Sequence, residues 1–155
     1  MQNIHPLFTH FPIALLLAVP LIDLIGIIRR EDWYHRASLL VLFLGVLGAI
    51  AAVTTGLLAE ESVPHPDAAH SLIELHEAFA LTTLGLALAM LLWRLAVWNR
   101  RSVGMLFVLL AAEVLFLCGP ITVTGYFGGQ LVFEHGVGTA LTAQEGHAHT
   151  HETSH

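Results

Sequence analysis

Lysine is absent from this 155-residue chain, charged residues of all kinds make up only 12%, and there is a single cysteine. Each shortage excludes something. A soluble domain carries about a quarter charged residues. At 12% charged and 55% hydrophobic, with a mean hydropathy of +0.73, lipid must be part of this protein's solvent. The net charge is −6 with histidine neutral, and no basic stripe is present, which argues against nucleic acid as a partner. Cys118 has no second cysteine to pair with, so no internal disulfide forms and the redox compartment stays unread. The opening Met1-Gln2-Asn3-Ile4-His5 lacks the basic n-region of a signal peptide, so the first apolar stretch reads as a retained span. No nucleophile–base set or phosphate loop is visible, which makes a hydrolase a poor expectation. Enzyme activity is left open.

What is present is long and apolar. A helical span needs about 20 mostly apolar residues, and four stretches qualify, near 7–28, 37–59, 73–98 and 103–126. Short connectors predict an all-α, up-down-up-down integral membrane four-helix bundle. The domain is expected over 1–140, with 141–155 a His-rich, disordered tail. The six basic residues are Arg29, Arg30, Arg36, Arg94, Arg100 and Arg101, all at the end shared by the first and third connectors. The positive-inside rule makes that end cytoplasmic and puts both termini and the 60–71 connector outside. For a bacterium that means the inner (cytoplasmic) membrane, with periplasmic termini. Trp33, Tyr34, Trp93 and Trp98 gather at the arginine end as interfacial aromatics.

Histidines gather at the other end, and their positions repeat. His5 and His10 open the first span as His70 and His76 open the third. Thr55-Gly56 leads to His65 at the end of the second span, and Thr124-Gly125 leads to His135 at the end of the fourth. Two tandem helix pairs related by an axis along the membrane normal would explain this, making His10 and His76 symmetry mates. Of the remaining polar residues, Asp23 and Arg94 fall at similar depth and are expected to form an ion pair between spans one and three. Glu113 reads as a lone carboxylate about 15 Å into span four, either protonated or a proton relay. Pro20 and Pro120 are expected to bend their helices.

The opening Ile4-His5-Pro6-Leu7-Phe8-Thr9-His10-Phe11-Pro12-Ile13-Ala14-Leu15 and the ending Gly128-Gly129-Gln130-Leu131-Val132-Phe133-Glu134-His135-Gly136-Val137-Gly138 resemble the two signatures of the bacterial domain of unknown function 2231 family. The resemblance covers positions 4 to 138. That family has no settled activity, but relatives are fused to Rieske iron–sulfur or cytochrome c modules, which implies redox company.

Neutral imidazole is the commonest metal ligand and a usual axial ligand to haem. An ionisable side chain inside a span is functional by default. The leading expectation is therefore a membrane electron-transfer protein with haem b held between His10 and His76. Thr55, Gly56, Thr124 and Gly125 would border the macrocycle, and His5, His65, His70 and His135 would line its mouth. A periplasmic redox protein or quinone would exchange electrons with it. The alternatives are a copper or zinc protein using His5, His10, His65, His70, His76 and His135 directly, or a structural or transport subunit without a redox cofactor. For each histidine alone, a bland role at the headgroup boundary competes. Homo-oligomerisation is left open.

Overall fold

A peptide group in hydrocarbon finds no water to bond, so four long apolar stretches must satisfy their backbone within helices. The computed structural model, which describes residues 5–62, 70–99 and 102–134, is an all-α four-helix membrane bundle. Three spans are single helices: α1 (His5–Arg29), α2 (Asp32–Ser62) and α3 (His70–Ala96). The fourth is composite, with α4 (Val103–Glu113), a π turn (Val114–Cys118) and α5 (Gly119–Phe133). Helix α2 begins before the expected boundary, because Asp32 in its first turn favours the positive end of the helix dipole. The fourth span runs past position 126 to Phe133.

The first two helices pack closely because glycines face the contact. A Cβ on Gly45 would lie 2.8 Å from Leu16 Cδ2, and one on Gly48 would lie 3.0 Å from Phe11 Cδ1. Small residues of this kind let membrane helices approach where no hydrophobic force drives them together. The chain turns between α1 and α2 at Arg30, which adopts φ 56° and donates its N–H to the Gly26 carbonyl at 2.8 Å. This is the left-handed C-terminal cap that glycine usually supplies.

The composite span follows from Ser102 and Pro120. Ser102 caps α4, its hydroxyl accepting from the Met105 N–H at 3.2 Å. Pro120 has no N–H to give the α ladder, and the π turn lies immediately ahead of it. A π turn takes one extra residue, which rotates everything after it by about 100° relative to an unbroken α-helix. Accordingly, α4 packs against α1, the π turn touches both α1 and α3, and α5 packs on α3.

Leu16, Val19, Leu42, Val46, Ala87, Met90, Leu91, Ala112, Leu117 and Ile121 form the apolar core. Only 28–33% of each span is buried within the protein, so most of its apolar surface faces outward. Phe107, Leu92 and Leu115 lie on that outer surface, which suits lipid as the surrounding solvent.

Candidate functional site

The described polar side chains gather at two levels. One surrounds His76. Its Nδ1 lies 3.1 Å from the Thr124 carbonyl oxygen on α5. A carbonyl only accepts, so Nδ1 carries the hydrogen and Nε2 keeps its lone pair. Gly128 makes this approach possible, since a Cβ there would stand 3.1 Å from the ring's Cε1. Below it, the Thr83 and Thr124 hydroxyls are 3.0 Å apart, and Phe79 meets Phe127 with ring centroids 5.5 Å apart. His76 is half-buried.

The other residues singled out from the sequence fall as follows. His10 is exposed on α1, with Nδ1 3.4 Å from Thr9 Oγ1. His70 is exposed, with Nε2 3.4 Å from Glu74 Oε1 one turn along. The Thr55 hydroxyl bonds back to its own helix, at the Ala51 and Ala52 carbonyls. Gly56 is half-buried on α2, while Gly125 is exposed and a Cβ there would meet nothing within 4 Å. His65, His135 and the 141–155 tail lie outside the described residues, as does the side chain of His5. The structure therefore joins His76 to Thr124. Among the described residues it forms no group of three or more His, Cys, Asp or Glu side chains placed to hold a metal ion.

The second level is a buried polar cluster to which all four spans contribute. Arg94 of α3 is its hub. Its Nη1 donates to Asp23 Oδ2 of α1 at 2.6 Å and to Glu113 Oε1 of α4 at 2.8 Å. Its Nη2 donates to Ser38 Oγ of α2 at 2.8 Å, to Asp23 Oδ1 at 3.3 Å and to the His35 carbonyl at 3.4 Å. Asp23 Oδ1 also accepts from Ser38 Oγ at 2.6 Å and from His35 Nδ1 at 2.7 Å.

The expected Asp23–Arg94 pair is present, but Glu113 is not a lone carboxylate, because the same guanidinium nitrogen binds both acids. His35 and Ser38 were not foreseen as members. Their one available signal is the three-residue spacing that puts them on one face of α2. Removed from water, ions need both a counter-charge and hydrogen bonds to be tolerated. Arg94 and Asp23 have both, whereas Glu113 Oε2 is buried without a hydrogen-bond partner among the described residues.

Comparison with curated proteins and with solved structures found no match. Comparison with family models gives one finding, which agrees with the signatures at both ends and with the four apolar spans. Over residues 1–141 the chain matches the family described as predicted membrane protein DUF2231, and it belongs to that family.

Proposed function

We propose that this is a membrane electron-transfer protein whose His76 and His10 would hold haem b at the histidine end. The single observation carrying this reading is the bond from His76 Nδ1 to the Thr124 carbonyl. Metal-ligating histidines almost always donate their second ring nitrogen to such a partner, which fixes the tautomer and makes the ring a better donor. Bound haem would supply one-electron chemistry at iron. The chain's own residues orient and enclose. Thr124 holds the His76 ring, Gly128 admits it, and the open space at Gly125 and Gly129 leaves room for a flat group. Thr55 and Gly56 would border that space from the first helix pair, and His5, His65, His70 and His135 its mouth.

The same proposal includes a topology. The helices run up-down-up-down as two tandem pairs, with the arginine end cytoplasmic by the positive-inside rule. Both termini are then periplasmic in a bacterial inner membrane, where a periplasmic redox protein or quinone would be the electron-transfer partner.

Optical spectroscopy of the protein purified from haem-replete cells tests the cofactor. A Soret band is expected that weakens or disappears in His76→Ala and His10→Ala while the spans stay helical. A folded, colourless protein that carries stoichiometric copper or zinc would replace this reading with direct metal binding by the histidines. A folded protein carrying neither would leave a structural or transport subunit.

A further inference from the structure

We propose that Glu113 carries an exchangeable proton, and that the Asp23–His35–Ser38–Arg94–Glu113 cluster is a proton-binding site reached from the arginine end of the bundle. The inference is independent of haem at the other end.

The titratable groups around Glu113 are Asp23 on α1, His35 on α2, Arg94 on α3 and Cys118 one turn on in its own span. Arg94 sets one permanent positive charge against the two acids, so with both acids ionised the pair of carboxylates outnumbers it by one. The members are nearly or fully sealed: Asp23, His35 and Arg94 are each 4% exposed, and Ser38 and Glu113 are 0% exposed. An uncompensated charge in such a place is costly enough that the group neutralises instead, so one further cation is required.

Hydrogen bonding decides where that cation sits. Asp23 is saturated with donors: Arg94 through both nitrogens, Ser38 and His35. Its oxygens therefore have no need of a proton to satisfy them. Glu113 takes one bond from Arg94 at Oε1, and its Oε2 has no partner among the described residues. A carboxylate oxygen left without a donor is penalised more than a neutral hydroxyl there, so the proton belongs on Oε2. Arg94 is then neutralised by Asp23 alone.

Space for water beside the cluster suits exchange from that side. A cavity of about 10 Å³ lies against His35 and Arg94, walled by Val97, Trp98, Leu106 and Leu109. That is about the space one water centre needs. The wall comes from the C-terminal part of α3, the turn after it and the first turns of α4, which places the cavity on the arginine-end side of the cluster.

Infrared spectroscopy of the full chain in lipid nanodiscs at neutral pH, with carbon-13 on the glutamate carboxyls, tests this. A protonated-acid stretch that carries the isotope shift and moves down in D₂O is expected. It should vanish in Glu113→Gln, whose side chain copies the neutral acid in shape. It should also vanish in Asp23→Asn, where Glu113 becomes Arg94's sole counter-ion and ionises. The labelled wild type is decisive if a variant fails to fold. No protonated glutamate in the wild type, or one present only when sodium is withheld, overturns the proposal. A band that survives Glu113→Gln overturns it as well. Leu109→Trp, which fills the cavity, should slow D₂O exchange of the band several-fold with its amplitude unchanged. An unchanged rate overturns the route.

Discussion

Replacing Arg94 with methionine keeps much of the side chain's volume while removing its charge, so it isolates the electrostatic role of the cluster. The wild-type side chain is 4% exposed and makes five N–H···O contacts, reaching α1, α2 and α4 from α3. An exposed ion pair would contribute at most about 1 kcal/mol. Here the loss of one partner leaves Asp23 ionised and buried, and such a break costs about 3–5 kcal/mol. Scaled on globular domains of similar length, that is a fall in Tm on the order of 10 °C.

Unfolding can be followed with a thiol-reactive dye at Cys118, the only cysteine. The informative comparison is the double variant Asp23→Asn/Arg94→Met. It removes the stranded charge and should recover much of the loss, giving strongly non-additive energies. A loss under about 1 kcal/mol in Arg94→Met, set against the expectation for a broken buried pair, would refute the reasoning. Additive effects of the two substitutions would refute it equally.

Three further outcomes follow from close contacts and backbone geometry. Gly26→Ala puts a methyl 2.9 Å from both Tyr34 Cβ and His35 Cε1. Tyr34 Cβ cannot swing aside, so overpacking should cost about 1–3 kcal/mol in thermal melts. Arg30→Gly removes a bulky residue from φ 56° and should raise stability by about 1 kcal/mol in the same assay. Gly128→Ala sets a methyl 3.1 Å from His76 Cε1 and should push the ring off the Thr124 carbonyl. Nitrogen-15 NMR of His76 would then show loss of the single Nδ1–H tautomer, and an unchanged spectrum would contradict the packing argument.

The spans were legible in the sequence because hydrocarbon imposes helices on any long apolar stretch, so hydropathy alone located them. Their ends were less so. Asp32, Trp33 and Tyr34 look polar enough for a connector, yet they belong to α2, since a helix end tolerates an acid and interfacial aromatics. Pro120 announced a disturbance but not its form. A proline can kink, break or widen a helix, and the result here is a π turn whose identity depends on what the displaced residues meet.

Asp23 and Arg94 read as an ion pair from their similar depth, and Glu113 as a lone carboxylate in an apolar run. Their union with His35 and Ser38 depends on which face of each helix turns inward, and apolar stretches with little amphipathicity do not encode that. The sequence places Thr124 only as a residue bordering the expected cofactor. Its contact with His76 is through the carbonyl, and a side-chain reading of the motif has no means of showing this.

Lipid chains are as apolar as leucine, so hydrophobic burial does little to hold membrane helices together, and close packing and polar contacts must do it. Here those agents are unevenly divided. At the Arg94 level all four spans meet in one hydrogen-bonded cluster. At the His76 level the bonds run between α3 and α5, while α1 packs on α2 and on the α4 part of the fourth span. The π turn separates the two regimes, because it frees α5 to follow α3 after α4 has followed α1. Among the described residues, the polar bonds that tie all four spans together are those of the Arg94 level. That level also makes a separable claim. If the histidine end binds no haem, the four-span cluster, its stability and the proton on Glu113 are unaffected. A variant that loosens Arg94 should disturb both levels, whereas one confined to His76 should disturb only its own.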